Sequence, residues 1–118
     1  MQSILIIEDD HSMRVALRDF LESHGWFVFS AANGIDGVAT LKRIKPPNVI
    51  LLDQMMPLMD GEGFLKTIKS DGETSGIPVI GMSATHDILS DLGAVAFLQK
   101  PLNLDTLFLA LKKYAREE

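Results

Sequence analysis

Asn48-Val49-Ile50-Leu51-Leu52-Asp53 decides how this chain folds. Four consecutive apolar residues, each β-branched or leucine, run into a carboxylate; Pro46-Pro47 lead in and Met56-Pro57 lead out. An apolar run without polar alternation marks a strand buried on both faces, so the stretch reads as a central strand of a parallel sheet. Asp53 stands where that strand stops. In open α/β sheets, ligands bind in the crevice outside the carboxyl ends of the strands.

Working outward, Ser3 to Ile7 is a second apolar run of strand type, and it ends in three acids, Glu8, Asp9 and Asp10. From Ser12 the period changes: Met13, Ala16, Leu17, Phe20 and Leu21 fall at helical spacing, with Gly25 as the stop. Trp26 to Ala31 reads as another strand, closed by the turn pair Asn33-Gly34. Ile35, Val38, Leu41 and Ile44 then give a second helix stripe, ended by Pro46-Pro47. Beyond Asp53, Asp60 offers an N-cap for a third helix carrying Phe64, Leu65 and Ile68, which Gly72 to Gly76 break. Ile77 to Ser83 is strand four, with Pro78 tolerable near its start. Val95 to Leu98 is strand five, and a last helix starts near Asn103 with Leu104, Leu107, Phe108 and Leu111. Between strands four and five, residues 84–92 leave room for one or two helical turns.

Five strands alternating with five helical segments, the fourth of them weak, imply βαβ units with right-handed crossovers. The expected fold is a three-layer, doubly wound α/β domain with a five-stranded parallel sheet, occupying residues 1–118. At 118 residues and 47% hydrophobic, the chain fits one core and leaves no room for a second. The formal charge is 11 − 16 = −5, with no basic cluster, which disfavours nucleic acid and anionic membranes as partners of this domain. The absence of cysteine excludes a disulfide framework and a thiolate zinc site, and suits the cytoplasm. The first apolar run breaks at Glu8 too soon for a signal peptide or a membrane span.

In a parallel sheet every strand ends on the same rim. Strand one ends at Glu8 and Asp9, strand three at Asp53, strand four at Ser83, and strand five just before Lys100. Carboxylates gathered so closely resist ionisation unless a cation joins them. A hard oxygen set is what Mg²⁺ accepts, often with phosphate oxygens in the remaining positions, and a lysine ammonium meets phosphate as a point charge. The predicted mouth is therefore suited to a divalent ion and a phosphoryl group.

Four stretches carry a more specific signal: Ile4 to Asp10 (ILIIEDD), Ile50 to Gly61 (ILLDQMMPLMDG), Pro78 to Ala84 (PVIGMSA) and Gly93 to Pro101 (GAVAFLQKP). In register and in order, they resemble the receiver domain of two-component response regulators, over the whole chain. The resemblance implies the flavodoxin-like strand order 2-1-3-4-5, a property known of that family and not read from these residues. It also implies that Asp53 accepts a phosphoryl group from a histidine kinase or a histidine phosphotransfer protein, so that the chain catalyses only its own phosphorylation and slow dephosphorylation. Carboxylate nucleophiles are an established route to covalent phosphoryl intermediates. By the same resemblance Asp9, Asp53 and the Met55 carbonyl would bind Mg²⁺, with Glu8 acting directly or through water. Lys100, Ser83 and the backbone N–H groups of Met55 and Ala84 would meet the phosphoryl oxygens, and Ser83 with Phe97 would form the family's switch. A cis Lys100–Pro101 bond, inexpensive only before proline, is expected.

Plainer roles compete at several positions. Asp10 and Asp60 read as helix caps, Phe97 as core, the three histidines as surface or capping residues, and the methionines near Asp53 as loop packing. Two departures from the family pattern stand out: Glu8 replaces the more usual Asp, and the fourth helix is shortened by more than a turn. A helix that short is marginal, so residues 86–92 are expected to be mobile or irregular. Among other functions, a flavin-binding electron carrier of similar topology meets the wrong charge at Glu8-Asp9-Asp10. A metal-dependent phosphohydrolase lacks a base to activate water. The chain is expected to be a stand-alone receiver or the receiver of a longer DNA-binding or enzymatic regulator.

Overall fold

The computed structural model describes residues 2–117. Five strands, β1 (Ser3–Ile7), β2 (Phe27–Ala31), β3 (Val49–Asp53), β4 (Val79–Ser83) and β5 (Ala96–Gln99), pair in parallel in the order β2-β1-β3-β4-β5. Four helices connect and cover them: α1 (His11–Ser23), α2 (Gly34–Leu41), α3 (Gly61–Lys69) and α4 (Leu104–Tyr114). The doubly wound, three-layer α/β architecture expected from the alternation is the one observed.

Why β3 needs no polar alternation is visible in its packing. Val49 and Leu51 join one core with Ile4, Ile6, Ile80 and Met82 under α1 and α4, closed by Leu17, Leu21, Leu107 and Leu111. Ile50 and Leu52 join the other with Leu5, Ile7 and Val79 under α2 and α3, closed by Leu41, Phe64, Leu65 and Ile68. Alternate residues thus face two different cores, and all four apolar residues of β3 have no exposed surface. Each such burial contributes about 2 kcal/mol, so a charge inside the strand would be disruptive.

Every α-helix starts on an Asp or Asn whose side chain accepts a backbone N–H three residues on: Asp10 from Met13, Asn33 from Asp36, Asp60 from Gly63 and Asn103 from Thr106. These caps set where each chain crossing leaves the rim. The second helix differs from expectation. It ends at Leu41, where the chain tightens with Arg43 N donating to Thr40 O, so Ile44 lies beyond it; Ile35, at its start, is exposed. Strand four begins at Val79, since Pro78 has no N–H to give, although its carbonyl accepts from Ile50 N. The Lys100–Pro101 bond is cis.

In place of a fourth helical segment of one or two turns there is a single 3-10 turn, Ser90–Leu92, closed by Gly93 at φ 108°. The segment is irregular, as its length predicts, yet it is fastened. Leu89 is fully buried, seated on β4 where Gly81 has no side chain: a Cβ on Gly81 would lie 2.8 Å from Leu89 Cδ1. Asp87 accepts from the backbone N–H groups of Leu89 and Ser90 and from the Ser90 hydroxyl. Those bonds outweigh the desolvation that would raise Asp87 and hold its carboxyl below the ordinary value.

Candidate functional site

The carboxyl ends of β1, β3, β4 and the residue after β5 bring Glu8, Asp53, Ser83 and Lys100 to one rim. Parallel register does this: Ile7 lies opposite Leu52, Asp53 opposite Met82, and Ser83 opposite Gln99. Glu8 is completely buried, Asp53 is 3% exposed and Asp9 is exposed at the edge. One oxygen from each of Glu8, Asp9 and Asp53 falls within 4.8 Å of the others.

Against three carboxylates the rim sets one ammonium. Lys100 Nζ stands 2.8 Å from Glu8 Oε1 and 3.3 Å from Asp53 Oδ2. The other Glu8 oxygen accepts from Asp10 N at 3.1 Å, and Asp53 Oδ1 accepts from Met55 N at 3.3 Å. Burial, then the bond and charge of Glu8, push the Asp53 carboxyl up from 3.8 to about 7, with Lys100 and Met55 N only partly opposing them. For Lys100, burial would lower the pKa. The bond to Glu8 and the charges of Asp53 and Glu8 outweigh it and hold the ammonium above its ordinary range.

The pocket of acid is held from below as well. A Cβ on Gly61, the first residue of α3, would lie 2.7 Å from Asp53 O and 2.8 Å from Gln54 Cα, so only glycine lets α3 start so close beneath β3. Gly61 N donates to Gln54 O, and Gln54 N donates to Met82 O. These contacts fix the backbone on the carboxyl side of Asp53.

Other residues singled out in the sequence take graded places. Ser83 is buried, and its hydroxyl lies 2.9 Å from Thr85 Oγ1 while accepting Thr85 N at 3.0 Å. Ala84 is exposed on the rim, and its carbonyl accepts from the Gln99 side chain. Met55 is 62% exposed. Phe97 is half-buried beside Gly81. Asp10 and Asp60 serve as caps.

Three residues at this rim escaped the sequence reading. Arg14, from the first turn of α1, donates to the Glu8 carbonyl at 2.7 Å, and only knowledge of the helix phase would have put it there. Thr85 engages Ser83. Gln54, 2% exposed, carries bonds to the segment after β4. A polar residue directly after a wholly apolar strand was the available signal for Gln54.

Known proteins resemble this chain over most of its length. A family model described as the response regulator receiver domain matches residues 4–112. Protein PilH of Pseudomonas aeruginosa is 40% identical over 113 residues, 91% of this chain and 92% of that protein. Sporulation initiation phosphotransferase F of Bacillus subtilis is 30% identical over 116 residues, 96% of this chain and 93% of that one. The solved receiver domain of sensor histidine kinase PA1611 from Pseudomonas aeruginosa, with a magnesium ion coordinated in its active site cleft, superposes with a TM-score of 0.88. It is 25% identical and covers 97% of each chain.

Proposed function

The chain belongs to the response regulator receiver domain family of two-component signalling, and from that premise we propose that Asp53 is its phosphoacceptor. Receiver domains are phosphoacceptors in signalling. The observation that carries the assignment is the single ammonium of Lys100 placed between the buried carboxylates of Glu8 and Asp53, with Asp9 alongside.

Three carboxylates facing the Lys100 ammonium, with the Arg14 guanidinium engaged on the Glu8 carbonyl, still leave the rim short of positive charge, and its donors are hard oxygens, so the residues fit Mg²⁺. Asp9, Asp53 and the Met55 carbonyl would hold the ion, with Glu8 beside them. When bound, the ion supplies charge neutralisation at the phosphoryl oxygens. The chain's own residues do the rest. Lys100 offsets charge on the transferring group, and Ser83 gives up its contact with Thr85 to donate to a phosphoryl oxygen. The N–H groups of Met55 and Ala84 donate to the others. An Asp53 oxygen attacks phosphorus as the P–N bond of a donor phosphohistidine breaks, its electron pair leaving with the imidazole.

In this reading residues 1–118 form one receiver domain acting in the cytoplasm. Its donor is a histidine kinase or a histidine phosphotransfer protein, and its output is a protein target that reads a switch involving Ser83 and Phe97. Beyond taking and slowly losing its own phosphoryl group the domain turns over no substrate. Incubation with acetyl phosphate and Mg²⁺ followed by intact mass measurement tests the reading. One added phosphoryl group is expected, lost in Asp53→Asn and strongly reduced in Lys100→Ala. An unchanged mass in the parent chain, or full labelling of Asp53→Asn, would refute it.

A further inference from the structure

Between β4 and β5 the chain forms only the 3-10 turn Ser90–Leu92, so no α-helix anchors that crossing. Something else must hold residues 84–92, and from the side of β3 the polar part of that work falls on Gln54. Its side-chain amide is buried and uses both ends on the same short stretch: Nε2 donates to His86 O at 2.8 Å, and Oε1 accepts from Ile88 N at 3.0 Å. Its backbone is fixed in turn, Gln54 N to Met82 O and Gln54 O to Gly61 N. The amide is therefore a short arm on a rigid base.

From the other side, Lys100 N donates to Ser83 O and the Gln99 side chain to Ala84 O, so residues 83 and 84 are tied to β5. Between that tie and the Gln54 clamp stands one residue, Thr85, which holds the Ser83 hydroxyl. A buried glutamine needs partners wherever it lies, but here both partners are backbone groups of one segment whose other inward anchors are apolar: Leu89, fully buried, with Ile88 and Leu92 partly buried against the same core.

We propose that Gln54 is a positioning residue for phosphoryl transfer: by clamping His86 and Ile88 to the end of β3 it sets where the Ser83-Ala84-Thr85 rim stands relative to Asp53. The functional part of this rests on Asp53 being the phosphoacceptor; the clamp itself does not. Gln54→Leu keeps the bulk and removes both bonds. Gln54→Glu keeps the acceptor for Ile88 N and sets an oxygen against His86 O.

Hydrogen–deuterium exchange on the full chain, read by mass spectrometry, follows residues 86–90 against β1 as an internal reference. In Gln54→Leu, residues 86–90 exchange about tenfold faster, the factor expected for one net hydrogen bond of ordinary strength, while β1 is unchanged. Gln54→Glu falls between. The rate of labelling at saturating acetyl phosphate falls several-fold in Gln54→Leu, whereas the Mg²⁺ concentration for half-maximal rate stays put, because the proposed ion ligands hang on other bonds. Unchanged protection over 86–90, or faster exchange spread equally over β1, would overturn the clamp. A shifted Mg²⁺ dependence with an unchanged maximal rate would overturn the positioning role. Should the parent chain take no phosphoryl group, the Asp53 reading and the positioning role fall with it. The exchange comparison would then judge the clamp alone.

Discussion

β3 carries a buried polar residue at each end, and the fold treats the two in opposite ways. Asn48, just before the strand, is neutral and saturated: its Oδ1 accepts from Ser3 N at 2.8 Å and its Nδ2 donates to Arg116 O at 2.9 Å, fastening the start of β1 to the chain after α4. Asp53, at the strand's other end, is ionisable and crowded by Glu8, with one ammonium shared between them. Five residues apart in sequence, one end is satisfied at the expense of any reactivity and the other keeps an unbalanced charge at the expense of stability. A buried neutral group with its bonds made stabilises; a buried charge short of counter-charge is where chemistry is done.

The comparison breaks most sharply at Asp53→Asn. Acceptance of a phosphoryl group from acetyl phosphate should vanish, while the folded state becomes more stable at pH 8, because the substitution removes a buried like charge. A variant that is inactive and also less stable at that pH would mean that Asp53 holds the rim together instead of straining it.

The pH dependence follows with its sign fixed. A carboxyl raised from 3.8 to about 7 in the folded chain keeps its proton there at pH values where the unfolded chain has lost it. Stability conferred by that proton is present near pH 4 and declines as pH climbs to 7, by at most about 4 kcal/mol, then levels off. Thermal unfolding from pH 4.5 to 8 without divalent ions should show the decline in the parent chain and a flatter profile in Asp53→Asn. Mg²⁺ at ten times its Kd should restore about 1.4 kcal/mol at pH 8, and nearly none in that variant.

At the quiet end, Asn48→Ala leaves Ser3 N without its partner and Arg116 O with only the long bond from the Gln2 side chain at 3.4 Å. The expected cost is about 2 kcal/mol in urea unfolding, at an unchanged acetyl phosphate labelling rate. A loss of labelling with little loss of stability would reverse the roles assigned to the two ends.

How much of this was legible in the sequence follows from which interactions are local in pattern. The unbroken apolar run at Val49–Leu52, the helix stripes and the Asx caps are written in spacing, and they bring the layers, the parallel sheet and the convergence of Glu8, Asp9, Asp53, Ser83 and Lys100 on one rim. Strand order came from family likeness, since no periodicity distinguishes which parallel neighbours pair. The Gln54 clamp, the Ser83–Thr85 contact and Arg14 on the Glu8 carbonyl were not legible. Each joins a side chain to a partner chosen by tertiary placement. The shortness of the 84–92 segment was read correctly, but its fastening by Leu89 and Gln54 was not.

The rim contains one further departure, and it yields the smallest effect. Leu58 is 80% exposed and lies at φ 66°, the only non-glycine residue with positive φ among those described; Gly25 and Gly93 fill the other such positions. A leucine there costs about 1 kcal/mol in backbone crowding and gains nothing from burial. Leu58→Gly removes that cost but restores freedom to the unfolded chain, which takes back about half of it. The net expectation is a gain of about 0.5 kcal/mol, near 2 °C in melting temperature, with acetyl phosphate labelling unchanged. The other left-handed positions among the described residues, Gly25 and Gly93, already carry glycine, so Leu58 is the one where this exchange can relieve strain. A destabilised Leu58→Gly would show that the exposed leucine packs against its neighbours in solution, and that this part of the rim is built for stability after all.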